Sequence, residues 1–132
     1  MKATYLQQFL TAFLLTTGLT ILSTPAHATT DEQACNLGSP CSISDQLDRQ
    51  TVINVSKSNG IHYSCKIHTD NDSLKVYVTD GGDFDIKKGS GYYNANPDVT
   101  VDIIGVFDGD QGQIKINRIS GKTGSVTCSS VK

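Results

Sequence analysis

The sequence predicts an all-β fold, a small antiparallel β-sandwich or barrel stapled by disulfides. Three observations carry that expectation. Ile61-His-Tyr-Ser-Cys-Lys-Ile-His68 alternates apolar with polar residues, the period of a strand with one face on a core and one in water. Twelve of the 13 acidic residues are Asp, and little Leu, Ala or Glu follows residue 50, so the chain is poor in helix formers and rich in turn formers. Short alternating runs then recur between Gly-, Asn- and Asp-containing breaks, the spacing of a compact all-β domain.

Met1–Ala28 reads as an export signal. Lys2 supplies a basic start, Phe9–Leu22 an apolar stretch, and Ala26-His-Ala28 a small-x-small cleavage site. Cleavage there leaves a chain beginning near Thr29, with no membrane span expected in it. Loss of Lys2 takes the formal net charge from −2 to about −3. An acidic chain lacks the basic patch that nucleic acid or an anionic membrane surface demands, so neither is expected as a partner.

Residues 29–50 read as an N-terminal arm with a local disulfide, leading into a β domain over 51–132. Gly38-Ser-Pro40 turns the chain between Cys35 and Cys41, and one helical turn capped by Ser42 or Ser44 is expected next. Thr51–Ser56 alternates with Ile53 and Val55 on one side. A three-residue loop, Ser58-Asn-Gly60, would oppose Val55 to Tyr63 and Ile53 to Cys65, with Gly60 at positive φ. A tight turn on Asp70-Asn71 would oppose Cys65 to Val76 and Tyr63 to Val78. The expectation is therefore a three-stranded meander with apolar rows Ile53–Cys65–Val76 and Val55–Tyr63–Val78.

Beyond it, Asp80-Gly-Gly-Asp83 reads as a turn before a brief strand at Phe84–Ile86. Lys87–Pro97 reads as a loop. Val99–Ile103 alternates, and the break at Ile104-Gly-Val106 suggests a bulge at Gly105. Asp108–Gly112 reads as a turn, Gln113–Ile119 as a returning strand, and Ser125–Ser129 as the last strand.

Four cysteines in an exported chain of this size imply two disulfides, with three possible connectivities. Cys65 and Cys128 both sit mid-strand on inward faces, so the expected pairs are Cys65–Cys128 and Cys35–Cys41. No Cys-x-x-Cys and no zinc spacing is present.

Few residues suggest chemistry. His62 and His68 share the outward face of one strand but stand about 20 Å apart along it, too far to share a metal. Ser64 lies two residues from His62, yet no nucleophile motif frames it. The acidic turns at Asp70–Asp72, Asp80–Asp85 and Asp108–Asp110 suggest calcium. Asp108-x-Asp110-x-Gly112 fails as an EF-hand, with Gly112 at the third ligand position and Ile119 where the bidentate acid belongs. Lys87-Lys-Gly-Ser-Gly91 lacks the order of a phosphate loop. Exposed tyrosines on a loop are a frequent contact surface, and Tyr92-Tyr93 beside Asn94 and Asn96 fits that description.

Tyr63-Ser-Cys65, Ser90-Gly-Tyr92 and a cysteine close to the C-terminus resemble the bacterial periplasmic C-type lysozyme inhibitors and related surface adhesin-complex proteins, over residues 61–128. The resemblance implies a small disulfide-stapled β-barrel whose Ser-Gly-containing loop helps block lysozyme, with Ser90, Gly91 and Tyr92 in that loop. The chain departs from the family in having no tryptophan and in the leading strand at 51–56.

The expectation is thus a periplasmic or secreted module that binds rather than catalyses. Its contact residues are Lys87, Lys88, Ser90, Gly91, Tyr92 and Tyr93, its partner another protein or a glycan, and no metal or other cofactor is expected. A calcium-dependent surface module and a small hydrolase are the alternative classes.

Overall fold

The computed structural model describes residues 31–43, 46 and 49–132. The export signal expected over 1–28 lies outside them, as does most of the helical turn expected after Ser42. Eight strands make up the described chain: β1 Asp31–Cys35, β2 Cys41–Ile43, β3 Arg49–Ser56, β4 His62–His68, β5 Leu74–Lys88, β6 Gly91–Ala95, β7 Asp98–Gly121 and β8 Gly124–Ser130. They form one nearly closed sheet in the order β1-β3-β7-β4-β8-β2, with β5 paired to β7 and β6 paired to β5. Every pairing is antiparallel except β1 with β3.

The organising element is β7. Its first part, Asp98–Ile104, lies against β4; its later part, Gln111–Asn117, lies against β3; and β5 accompanies it from Ile104 to Gly121. β7 therefore passes from one layer of the sandwich to the other, with β5 beside it. Inward residues from both layers, among them Tyr63, Ile67, Phe84, Ile103, Ile114 and Ile116, are at most 2% exposed and form one core. Tyr63 and Phe84 meet edge to face with centroids 5.7 Å apart. The Tyr63 hydroxyl escapes the cost of burial by donating to the Gly60 carbonyl at 2.5 Å.

The all-β, disulfide-stapled architecture agrees with the sequence; the strand pairing does not. The expected meander is absent. β3 lies between β1 and β7, β4 between β7 and β8, and β5 between β6 and β7. Ile53 thus faces Cys35 and Ile114, Cys65 faces Val101 and Cys128, and Val76 faces Tyr93 and Arg118. Alternation tells which face a residue takes, and Ile53, Cys65 and Val76 are all buried. It does not tell which strand lies alongside. Gly60 does take positive φ, 97°, but it ends a 3-10 turn at Lys57–Asn59 that carries the chain between layers.

Neither expected turn in the aspartate–glycine segments exists. Asp80–Asp83 lies within β5 and Asp108–Gly112 within β7. Gly82 pairs with Gly112, and just beyond it the register shifts: Asp83 on β5 stands against Asp108–Gln111 on β7 before Phe84 opposes Phe107 and pairing resumes. A Cβ on Gly112 would collide with Phe84, and Gly82 has φ 62°. At Asp80 the side chain accepts the Ile86 amide at 2.7 Å, holding the bend. The bulge expected at Gly105 sits on its partner: Ile86 opposes Gly105 and Lys88 opposes Ile104, leaving Lys87 extra on β5. Gly105 is needed because Phe84 presses against its backbone.

Three smaller differences follow. Ile61 precedes β4 and its side chain is 50% exposed, although its carbonyl accepts the Gly105 amide next to the β4–β7 ladder. Tyr92 and Tyr93 belong to β6, not to a loop. The arm supplies β1 and β2 to the sheet, and Ser42 is a strand residue opposite Ser125 rather than a helix cap.

Two disulfides cross this architecture, Cys35–Cys41 between β1 and β2 and Cys65–Cys128 between β4 and β8. Cys65 and Cys128 are directly opposed, with Cα atoms 3.9 Å apart. This bond ties residues 63 positions apart. In the chain-entropy picture a closure of that length contributes about 4 kcal/mol.

Candidate functional site

The residues singled out from the sequence divide between different surroundings. Lys87, at the bulge, places its ammonium 2.6 Å from Asp85, and Lys88 places its own 4.0 Å from Asp102. Hydrogen bonding by Asp85, reinforced by its charge, pushes the Lys87 pKa up. Gly89 and Gly91, both at positive φ, carry the turn through Ser90 into β6. From there the two tyrosines diverge by strand parity. Tyr93 faces inward, packs on the core and donates its hydroxyl to the Gly89 carbonyl at 2.8 Å, closing the turn.

Tyr92 faces outward and is 64% exposed. It is nevertheless well supported. Its ring lies 4.7 Å from that of Tyr77, directly opposite on β5, and the Lys75 ammonium sits 5.2 Å from its centroid. Lys75 and Tyr77 are absent from the sequence-derived candidates. Their outward parity on β5 was legible, but that β6 lies alongside was not.

The histidines also have partners that the sequence did not reveal. His62 Nε2 lies 2.5 Å from Asp102 Oδ1, and His68 is held at both nitrogens, by Asp98 at 2.6 Å and Asp70 at 2.9 Å. Asp98 and Asp102 stand on β7, which runs beside β4. Hydrogen bonds from Asp98 and then Asp70 raise the His68 pKa above its ordinary value. Among the described residues no hydrogen bond links Ser64 to His62. Nor does any group of three or more His, Cys, Asp or Glu side chains there stand ready to hold a metal ion.

Shallow clefts open on the surface of the described residues, two of them beside glycine-containing segments. One, about 400 Å³, is lined by Asp70–Ser73, Gly121 and Lys122, where the β4–β5 and β7–β8 connections meet. Buried Thr69 joins those connections by donating to the Thr123 carbonyl at 2.8 Å. The other, about 310 Å³, lies over the glycine bend of β5 and β7.

Comparison with known proteins adds little. No family model matches the chain, and no curated protein matches it. A solved structure, the pre-peptidase C-terminal domain of a collagenase from Bacillus anthracis, is similar at 10% identity and a TM-score of 0.47, over 79% of this chain and 100% of that one. What the geometry itself defines is a disulfide-stapled all-β module with an exposed, braced tyrosine. Among the described residues no helix is long and apolar enough to cross a membrane.

Proposed function

We propose that this protein is an exported, non-catalytic binding module that engages a protein partner through the turn and strand around Ser90, Gly91 and Tyr92. The observation that carries the reading is the state of Tyr92: a large ring, mostly exposed, yet in contact with the Tyr77 ring and the Lys75 ammonium. A ring already ordered loses little freedom on binding, and aromatic anchors of this kind dominate interface energetics. Two disulfides favour an oxidising compartment, the periplasm or the exterior.

The resemblance of Ser90-Gly-Tyr92 to the lysozyme-inhibitor loop suggests a C-type lysozyme as the first partner to try. Lysozyme activity is measured while the protein is titrated in, using the native chain and the Ser90→Ala/Tyr92→Ala variant. The reading expects stoichiometric inhibition that the variant loses while remaining folded. Inhibition unchanged in the folded variant would remove this surface. An absence of inhibition by the native chain would remove lysozyme as the partner.

A further inference from the structure

The cleft over the glycine bend is lined by Asn54 on β3, Gln111 and Gln113 on β7, and the backbone of Gly82 and Gly112. Register brings these groups together: Asn54 opposes Gln113, and Gly112 opposes Gly82. The bend strips the floor of side chains, because Gly112 has no room for a Cβ beside Phe84 and Gly82 needs its left-handed backbone. Gly81 likewise leaves space that the Gln113 carboxamide and the end of the Lys115 side chain, its ammonium included, lie across. The result is bare backbone walled by primary amides, and none of the lining residues carries a charge.

Among the described residues, no protein group hydrogen-bonds the side chains of Asn54, Gln111 or Gln113. Asn59 shows the contrast, its carboxamide oxygen engaged by both the amide and the hydroxyl of Ser56. Each free carboxamide offers a donor pair and an acceptor on adjacent atoms. Vicinal hydroxyls, each both donor and acceptor, are the complement to that pattern. A cationic ligand would find no carboxylate among the lining residues, and the Lys115 ammonium at the edge of the cleft by Gly81 adds a further donor for hydroxyl oxygens. Further along the same face, Asn117 and Gln50 oppose each other, and Asn117 opposes Tyr77, which carries Tyr92. From Gln113 to Asn117 along β7 is about 13 Å, so Gln113, Lys115 and Asn117 make a polar row that leads from the cleft toward the two tyrosines.

We infer that this cleft is a binding site for a neutral oligosaccharide, separate from the protein-contact turn at Ser90–Tyr92. The sugar hydroxyls bond to the carboxamides of Asn54, Gln111 and Gln113, and a ring face lies on the glycine floor.

Cellohexaose, chitohexaose and maltohexaose, with a heparin hexasaccharide as acidic control, are titrated to about 10 mM against the isotope-labelled full chain, well above a millimolar Kd. Side-chain NH2 and backbone resonances are followed. At least one neutral sugar should shift the NH2 signals of Asn54, Gln111 and Gln113 saturably. The Asn54→Ala/Gln113→Ala variant should bind about tenfold more weakly, as expected for the loss of two such hydrogen bonds, with an unchanged unfolding midpoint. Should it unfold, Gln113→Glu keeps the shape of the side chain and must also weaken binding. The inference is overturned if no neutral sugar shifts these signals, if the acidic sugar binds as tightly, or if the shifts cluster at Tyr92 and survive the cleft variant. None of these outcomes touches the protein-contact reading, which stands or falls on lysozyme titration of the Ser90→Ala/Tyr92→Ala variant.

Discussion

His68 and Asp98, 30 positions apart in sequence, face each other across β4 and β7 with the ring Nδ1 2.6 Å from the carboxylate. Asp70 takes the other ring nitrogen at 2.9 Å, so the imidazolium is the form that satisfies both contacts. Its folded pKa is raised above the ordinary 6.5. A raised histidine pKa contributes stability fully present below the unfolded value and lost as pH rises through the folded one. The unfolding midpoint should therefore fall as pH climbs from about 6.5 through the His68 titration. Asp98→Asn should flatten that dependence and bring the His68 ring titration, followed by NMR, back toward its ordinary value. A ring that titrates alike in both proteins would contradict the pairing.

The second prediction concerns the opposed cysteines. Cys65→Ala/Cys128→Ala should lose about 2–5 kcal/mol in denaturant unfolding. Peptide mapping without reductant should recover a fragment joining the two strands. A fragment joining Cys41 to Cys65 would be incompatible with the Cys65–Cys128 bond.

Gly112 tests the bend. A Cβ there must displace Phe84, a core residue 2% exposed. Gly112→Ala should cost about 1–3 kcal/mol as an overpacking substitution. Phe84→Leu should not relieve that cost, because the atoms met are the Cβ, N and Cα of Phe84, which leucine keeps. A Cβ on Gly105 instead meets the ring tip, so Gly105→Ala combined with Phe84→Leu should cost less than the sum of the two changes. Additive costs for that pair would show that Gly105 and the ring do not meet.

Neighbouring tyrosines should behave oppositely. Tyr92→Ala, at an exposed site, should move the unfolding free energy by no more than about 0.5 kcal/mol. Tyr93→Ala removes packing against the core and the bond that closes the turn at Gly89, and should cost about 3 kcal/mol. Equal costs would place both rings in the core and deprive the proposed contact surface of its anchor.

The sequence by itself determined the fold class, the inward and outward faces of the strands, and which cysteines could meet. Each follows from local chemistry: period-2 alternation buries Ile53, Cys65 and Val76 wherever their strands lie, and two inward mid-strand cysteines can approach only through the core. Tertiary structure alone decided which strands are neighbours. Glycine and aspartate runs signal a change of backbone direction, and at Asp80–Asp83 and Asp108–Gly112 a reversal and a bend read alike from one strand. Only strand pairing makes them bends: Gly82 opposes Gly112, the register shifts beyond them, and pairing resumes at Phe84 and Phe107. Pairing on both sides of that shift lets β7 run beside β4, β5 and β3 in turn, and it sets Asp98 against His68 and Asn54 against Gln113. The candidate sites were invisible for the same reason. Tyr92 could be read as a contact residue, but Lys75 and Tyr77 join it through strand pairing, and the carboxamides of the cleft converge only once the sheet has folded over its glycines.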